Sequence, residues 1–256
     1  MEFGICNLSI VPVRREPSDT SEMVTQILFG DHFTILDKKE QWVNIHIVFD
    51  DYSGWVDEKQ FTQVSKEEFD LLNGIQYITL NVNENVCFER KDYFQICVGS
   101  VLPDYNGSIV KIGDKSYQYD GHSIKIGELS IEDKLTKTCM NYLHAPYQWG
   151  GKTPFGIDCS GFTQMVYKQF GIFLKRDAWQ QADQGNEIKS INASDCGDLA
   201  FFSKDGKITH VGILLNDEKI IHASGKVRID KLTEDGIYNE ELKKLTHQIT
   251  SIKRLG

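Results

Sequence analysis

Residues 147–171 constrain the fold most, because they place a cysteine at the first turn of a predicted helix. Their sequence is YQWGGKTPFGIDCSGFTQMVYKQFG. The glycines and the proline keep the approach irregular, whereas Asp158 is a good N-cap for a helix that ends near Gly171. Partial positive charge at a helix N-terminus favours the thiolate of Cys159, which is the nucleophilic form. The alternative is that Cys159 is a small buried core residue.

A predicted β-hairpin downstream supplies two histidines that can act with this cysteine. Residues 207–224, KITHVGILLNDEKIIHAS, contain two β-rich runs separated by the sequence NDE. A turn centred on Asn216 would place His210 and His222 directly opposite each other on one face, with Gly212 leaving space beside them. One ring nitrogen of His210 can then face the thiol, while His222 binds the other ring nitrogen of His210. This is an arrangement of nucleophile, base and orienting residue. A shifted turn would spoil this register.

Together these motifs resemble those of the bacterial NlpC/P60 cysteine peptidases. The resemblance is carried by YQWGG, DCSGF, THVGI and IIHAS, which follow one another in the last half of the chain. It implies a papain-like α+β catalytic domain, a triad of Cys159, His210 and His222, and hydrolysis of amide bonds in peptidoglycan stem peptides. We also expect the Tyr147 hydroxyl and the Cys159 backbone N–H to stabilise the tetrahedral oxyanion. The alternative for Tyr147 is simple packing beneath the loop.

The N-terminal half alternates short β-rich runs with turns, which is typical of small barrels. Within residues 1–64, the order VPVRREP, GDHFTIL, QWVNI and YSGWV resembles the bacterial SH3 domains. We predict an SH3-like barrel over 1–64, a linker over 65–73 and a second, diverged SH3-like barrel over 74–128. An NlpC/P60 catalytic domain over 129–256 completes the predicted α+β chain, with one short helix and a closing strand in its tail.

The combination of SH3-like barrels with a catalytic domain that carries Arg-Asp after its helix is similar to the YkfC-like γ-D-glutamyl-L-diamino acid endopeptidases. This resemblance implies cleavage between γ-D-Glu and the diamino acid of muropeptides with a free N-terminal L-Ala. It implies that Asp177 and Tyr52 bind the alanine ammonium, a suitable partner for a carboxylate. The other implied pocket residues are Trp149, Asp158, Ser160 and Arg176. Ala178 departs from the family pattern, in which we expect serine, and Asp158 and Asp177 also suit helix caps.

Composition excludes some partners and compartments. A net charge of −9 argues against nucleic acid or an anionic membrane as a partner. No apolar run approaches the ~18 residues of a membrane span, and no signal-peptide pattern follows Met1. The six cysteines are scattered without C-x-x-C spacing, which suits free thiols in a reducing compartment. We therefore expect a cytoplasmic location, with the periplasm or cell surface as the alternative if a leader preceded Met1.

The sequence predicts no cofactor, because H-x-x-x-H and paired-cysteine spacings typical of metal sites are absent. The expected partner is a peptidoglycan-derived peptide, and the expected state is a monomer. The predicted function is therefore trimming of muropeptides in cell-wall recycling. Two alternatives stay open, which are a non-catalytic peptidoglycan-binding protein and a thiol acyltransferase that uses an amine in place of water.

Overall fold

A computed structural model of the protein describes residues 1–74, 76–88, 92–216 and 218–255. The chain forms two compact units, Met1–Glu128 and Leu129–Gly256. Asp217 of the predicted hairpin turn lies outside the described residues, as do Ile75 near the start of the predicted second barrel and the terminal Gly256. None of the helices in the described part of the chain is long and apolar enough to cross a membrane.

The first unit begins with a seven-stranded antiparallel sheet. Its strands are β1 (Glu2–Ile5), β2 (Ile10–Arg14), β3 (Met23–Leu28), β4 (His32–Lys39), β5 (Trp42–Ile47), β6 (Tyr52–Asp57) and β7 (Thr62–Val64), which pair in the order β3-β2-β6-β5-β4-β1-β7. Val11 and Val13 of β2 pack with Ile45 and Ile47 of β5 in one core. Alternate residues of a strand share a face, so these valines and isoleucines predict which side of each strand is buried.

A short helix, α1 (Lys66–Leu72), follows the first sheet. The Ser65 hydroxyl accepts a hydrogen bond from the Glu68 amide at 3.2 Å, and the Glu68 carboxylate accepts one from the Ser65 amide at 2.8 Å. These two bonds form a capping box, which satisfies N–H groups that a helix leaves unpaired. Phe69 of α1 packs on Phe3, with 4.3 Å between ring centroids, so the predicted linker is folded against the first sheet.

The rest of the first unit is all β. It contains β8 (Tyr77–Thr79), β9 (Asn83–Phe88), β10 (Asp92–Cys97), β11 (Val101–Leu102), β12 (Ile109–Ile112), β13 (Lys115–Tyr119) and β14 (Ser123–Lys125), in sheets ordered β10-β9-β13-β12 and β11-β8-β14. Phe29 contacts the rings of Phe94 and Tyr117 at 5.7 and 5.6 Å, so both parts of this unit share apolar packing. The count of two SH3-like barrels stays a prediction.

The second unit combines helices with a sheet that closes on itself. Its elements are α2 (Ile131–Met140), β15 (Lys152–Thr153), β16 (Gly156–Ile157), α3 (Cys159–Lys168), α4 (Ala178–Gln181), β17 (Asn186–Ile188), β18 (Leu199–Lys204), β19 (Lys207–Leu214), β20 (Lys219–Ser224), β21 (Lys226–Thr233), β22 (Gly236–Asn239) and β23 (Lys244–Arg254). The sheet order is β17-β23-β18-β19-β20-β21-β22, and β22 also pairs with β23. Strands β18–β23 therefore form a closed ring of pairings, and the predicted α+β class is confirmed.

Helix α3 lies in the interior of this unit, and all ten of its residues are buried. It packs against β19 and β20, and Phe162 meets the ring of Tyr142 at 5.8 Å. The first residue of the helix is therefore delivered to the sheet. The short helix predicted in the tail is wrong, because residues 240–243 form a turn and Asn239 pairs with Lys244 across β22 and β23.

Candidate active site

Cys159 is the first residue of α3, as the sequence predicts. The Asp158 carboxylate accepts a hydrogen bond from the Gly161 amide at 2.7 Å, so it caps the helix. The sulfur of Cys159 lies at the backbone amides of Ser160 and Val211. Since Val211 directly follows His210, α3 places the sulfur at the part of β19 that carries the first predicted histidine.

The protonation state of this thiol differs from the prediction. Burial and, to a smaller extent, the nearby Asp158 carboxylate raise the pKa of Cys159 to about 12, against the opposing effects of the Val211 amide, the Arg176 guanidinium and the Ser160 amide. The amide of Ser160 at the helix start lowers the pKa, which is the direction that the sequence predicts. Burial outweighs this effect, so the thiol is favoured in the resting state.

A close approach between Gly161 and Gly151 holds the loop before the cysteine against the helix. A Cβ atom on Gly161 would lie 2.3 Å from the carbonyl oxygen of Gly151, which is closer than any side chain tolerates. The Gly150 amide also donates to the Asp158 carboxylate at 2.8 Å. The glycines of the two motifs are thus explained by the fold, because they allow loop and helix to touch.

His210 and His222 lie on one face of the β19–β20 pair, but not directly opposite each other. The observed register pairs His222 with Gly212, two residues after His210 on β19. His210 is therefore the diagonal neighbour of His222, and the predicted direct pairing of the two histidines is wrong. Both side chains still share a face because the shift preserves the alternation. Nε2 of His210 lies 2.8 Å from Nδ1 of His222, which is a hydrogen bond.

The histidine pair continues into a buried carboxylate. Nε2 of His222 lies 3.1 Å from Oδ2 of Asp230 on β21. Arg228 contacts both Asp230 oxygens, with Nη2 at 3.0 Å from Oδ1 and Nε at 2.8 Å from Oδ2. The Asn239 side-chain amide of β22 donates to Oδ2 at 3.3 Å. Sequence reasoning missed Asp230, since no local motif connects it to the histidines.

A third histidine, also missed from the sequence, stacks on the first. The ring of His247 on β23 lies 4.2 Å from that of His210, with 24° between the planes. The ligand nitrogens of His210, His222 and His247 lie within 4.8 Å of one another, which is compact enough for a metal ion. However, the nitrogens of His210 and His222 that face each other already form a hydrogen bond. The nearly parallel rings of His210 and His247 direct their lone pairs along parallel planes and not toward one point. We therefore assign the cluster to hydrogen bonding.

All three imidazoles are shifted toward their neutral forms. Burial lowers the pKa of His210 well below its usual value, and His222 and His247 lower it further. Burial also lowers the pKa of His222, against the opposing effect of Asp230, and that of His247 to about 4. Burial would raise the pKa of Asp230, but hydrogen bonds from His222 and Arg228 outweigh it and lower the pKa below the ordinary value. At neutral pH, neutral imidazoles therefore meet an ionised carboxylate.

Tyr147 lies beside the cysteine and is partly open to solvent, with 37% of its surface exposed. Burial raises the pKa of its hydroxyl above the ordinary range, and the Cys159 thiol and Asp158 carboxylate add to the shift. The hydroxyl is therefore a neutral donor at physiological pH. Trp149, two residues along the same loop, is also exposed.

The predicted pocket residues Asp158, Ser160 and Arg176 bind one another. Nη2 of Arg176 donates to Oδ2 of Asp158 at 2.6 Å, and Nη1 donates to Oδ1 of Asp158 at 3.1 Å and to the Ser160 hydroxyl at 2.9 Å. Both Arg176 and Asp158 are buried. This bidentate pair ties the segment before α4 to the start of α3. Direct contact of these three residues with substrate stays a prediction.

The remaining predicted contacts lie in different parts of the chain. Asp177 precedes α4 and is half-buried, and its amide donates to the Gln180 side chain at 3.0 Å. Helix α4 packs against β19, the strand that carries His210. Ala178 is buried at the start of α4, and Tyr52 is a half-buried residue at the start of β6 in the first unit. Substrate binding by Asp177 and Tyr52 stays a prediction.

Comparison with known proteins supports this arrangement. Residues 144–246 match the NlpC/P60 family, and residues 13–61 match the bacterial dipeptidyl-peptidase SH3 domain. The chain is 29% identical to γ-D-glutamyl-L-lysine dipeptidyl-peptidase of Bacillus cereus, over 87% of this chain and 74% of that protein. Its identity to the Bacillus subtilis protein of the same name is 28%, over 85% and 78% of the two chains.

Structural comparison gives the same fold. A crystal structure of an NlpC/P60 family protein from Bacillus cereus superimposes with a TM-score of 0.81 at 23% identity, covering 98% of this chain and 99% of that one. The chain therefore carries an NlpC/P60 cysteine peptidase domain preceded by a bacterial SH3 domain, and it is homologous to the γ-D-glutamyl-L-lysine dipeptidyl-peptidases.

Proposed function

We propose that the protein cleaves the amide bond between γ-D-Glu and the diamino acid of peptidoglycan stem peptides that begin with a free L-Ala. One observation carries this proposal, which is that α3 delivers Cys159 to the strand of the hydrogen-bonded His210–His222 pair. The names of the Bacillus relatives supply the bond and the release of an N-terminal dipeptide. A metal is not needed for this reaction type, because a thiol and an imidazole supply nucleophile and base.

In the proposed reaction, the Cys159 sulfur attacks the carbonyl carbon of γ-D-Glu, and its proton passes to His210. The tetrahedral intermediate then collapses, the C–N bond breaks, and His210 returns the proton to the leaving amine of the diamino acid. Water next attacks the thioester, giving one proton to His210. The C–S bond breaks, and the sulfur recovers its proton as the dipeptide acid leaves.

Two hydrogen-bond donors suit the negative oxygen of the intermediate. The backbone amide of Cys159 is unpaired within α3 because it lies in the first turn of the helix. The Tyr147 hydroxyl keeps its proton at neutral pH, since burial, Cys159 and Asp158 all raise its pKa. We propose that these two groups stabilise the oxyanion, and removal of one such donor typically costs about 10²–10³ in kcat.

The proposed selectivity for a free N-terminus rests on charge. A carboxylate at Asp177 pairs with the alanine ammonium, and an acetylated substrate offers only a neutral amide. Tyr52 is the proposed second contact, and Trp149 is the proposed apolar wall. The Arg176–Asp158 pair, with Ser160, holds the start of α3. A serine hydroxyl is missing at Ala178, so one polar contact of the family pattern is absent.

The direct test uses two matched peptides, L-Ala-γ-D-Glu-L-Lys and the same peptide with an acetylated N-terminus. Mass spectrometry is expected to show L-Ala-D-Glu from the free peptide alone, released as the acid, and no product with the C159A variant. Cleavage of both peptides at equal rates would contradict the selectivity for a free N-terminus. Transfer of the dipeptide to an added amine, without free acid, would instead indicate an acyltransferase. The diaminopimelate analogue of the peptide measures the preference for the diamino acid.

The proposed role in cell-wall recycling requires the protein to meet released muropeptides in the cytoplasm. Fractionation of the producing cell with an antibody to the native protein tests this location. Recovery in the cytoplasmic fraction supports recycling, whereas recovery in the wall or periplasmic fraction would indicate that intact wall is the substrate.

A further inference from the structure

Successive strands of the closed sheet contribute polar residues to one buried network. His210 comes from β19, His222 from β20, Asp230 from β21 and Asn239 from β22, and the described contacts join them in that order. All four residues are buried. The network therefore continues beyond the two histidines of the proposed mechanism to the Asp230 carboxylate and its donors.

The carboxylate determines which nitrogen of each ring carries a proton. An ionised carboxylate only accepts hydrogen bonds, so Nε2 of His222 must donate to Asp230. In a neutral imidazole the other nitrogen is then an acceptor, so Nδ1 of His222 accepts from Nε2 of His210. Of the four ring nitrogens of His210 and His222, only Nδ1 of His210 then has a lone pair that is not used in these two hydrogen bonds. The position of the free lone pair on His210 is thus fixed by a residue two hydrogen bonds away.

We propose that Asp230 is a positioning residue of the peptidase reaction, whose carboxylate fixes His222 and His210 in the tautomers that leave Nδ1 of His210 as the proton acceptor. The proposal rests on the function proposed above. It adds that His222, which orients His210, is in turn oriented by Asp230. A neutral His222 with no carboxylate partner can adopt either tautomer. In the wrong tautomer, Nδ1 of His222 carries a proton and repels the N–H of His210.

Arg228 and Asn239 prepare Asp230 for this role. Arg228 contacts both carboxylate oxygens, and Asn239 donates to Oδ2, the same oxygen that faces His222. These donors favour the ionised carboxylate in a buried position, where an unpaired charge would be costly. When His210 accepts the thiol proton, its positive charge is connected to the Asp230 carboxylate through the neutral His222 ring.

The first experiment compares D230A with R228Q in the full chain. D230A removes the acceptor for His222, whereas R228Q removes the arginine and leaves the carboxylate. We expect kcat of D230A to fall about 10–100-fold with KM unchanged, because Asp230 acts through His222 and not on substrate. R228Q is expected to lose less. Imidazole nitrogen NMR of histidine-labelled protein is expected to show mixed tautomers for His210 and His222 in D230A and single tautomers in R228Q.

A second measurement uses the cavity beside Asp230. This cavity has a volume of about 380 Å³, and its lining includes Arg228, Asp230 and Glu241. Formate is a carboxylate of the right size to enter the space left in D230A and to pair with Arg228. We expect formate to restore kcat of D230A several-fold and to restore single tautomers. It is expected to have no effect on R228Q/D230A, which lacks the arginine.

A third measurement separates this inference from the substrate proposal. It is the rate at which iodoacetamide alkylates Cys159, followed by mass spectrometry of the proteolytic peptide that contains this cysteine. It is expected to fall in D230A and to recover with formate whether or not the muropeptide is cleaved. Equal kcat losses in D230A and R228Q, with unchanged tautomers, would show that Asp230 only stabilises the fold. If D230A does not fold, D230L keeps a similar volume and removes both acceptor oxygens. Wild-type kcat and tautomers in D230L would overturn the proposal.

Discussion

Replacement of Gly212 by alanine should break the hydrogen bond between His210 and His222 without substituting either histidine. Gly212 pairs with His222 across β19 and β20, and a Cβ atom on it would lie 2.9 Å from the His222 Cβ and 2.8 Å from Cδ1 of Ile220. Ile220 can rotate the end of its side chain away. The Cβ of His222 is fixed to the backbone, so relief there requires the strand itself to move.

The displacement follows from ordinary contact distances. Non-bonded carbon atoms prefer a separation of roughly 3.5–4.0 Å, so the His222 Cβ must move by about 0.6–1.1 Å from its 2.9 Å contact. A shift of that size along the line of the rings lengthens the 2.8 Å bond to His210 beyond the range of a hydrogen bond. Misplacement of about 1 Å costs on the order of 10² in rate, and the overpacking costs about 1–3 kcal/mol of stability.

The assay measures kcat and KM on L-Ala-γ-D-Glu-L-Lys, together with the free energy of unfolding in urea. The matched control is I213V, which lies on the same strand, faces away from His222 and costs about 0.5–1.5 kcal/mol through a lost methyl group. We expect G212A to lose kcat about 10²-fold while I213V keeps its activity. If G212A and I213V lose similar stability and similar activity, the strand contact does not set the histidine geometry and the reasoning fails.

Three further predictions concern stability, pH and substrate binding. R176M should cost about 3–5 kcal/mol in urea denaturation, because it leaves the Asp158 carboxylate buried without its charged partner; a loss below 1 kcal/mol would contradict this. The His247 pKa of about 4 lies below the unfolded value of about 6.5, so the unfolded chain binds the proton first and stability falls as pH drops through that window, by at most about 1.4 kcal/mol per unit. H247Q should therefore flatten the dependence of unfolding free energy on pH, and equal slopes for H247Q and the wild type would refute this. A178S should lower KM about 2–5-fold without changing kcat, through one added hydrogen bond of about 0.5–1 kcal/mol, and an unchanged KM would show that this hydroxyl does not reach the substrate.

Local chemistry explains what the sequence predicted about the site. An Asp before a Cys-Ser-Gly run forms a helix start, and the structure places the Asp158 cap and Cys159 there. The spacing of His210 and His222 puts both on one face because strand side chains alternate. Each of these features depends on a few neighbouring residues.

The register error also has a local cause. The prediction centred the turn on Asn216, but the Asn216 side chain accepts a hydrogen bond from the Glu218 amide at 2.9 Å. Such a bond places the asparagine at the start of a turn, so the centre falls later and His222 pairs with Gly212. Alternation alone preserves the shared face, whereas the pairing partner depends on the turn.

Asp230 and His247 were beyond prediction for a different reason. Asp230 reaches His222 through the pairing of β21 with β20, and His247 reaches His210 through the pairing of β23 with β18 and β22. A histidine in a β-rich tail and an aspartate in a β-rich run carry no local signal of a shared site. The strand pairings bring both residues to His210 and His222.

Burial determines the resting protonation of the proposed nucleophile and base. Burial raises the pKa of Cys159 and lowers that of His210, so the same desolvation disfavours a thiolate–imidazolium pair on both sides. In the proposed reaction, we therefore expect proton transfer to His210 to accompany attack on the carbonyl, when negative charge moves from sulfur to the substrate oxygen. The groups that matter most in this proposal are those that stabilise the charges formed at that moment. They are the proposed oxyanion donors, which are the Cys159 amide and the Tyr147 hydroxyl, and the proposed positioning residue Asp230.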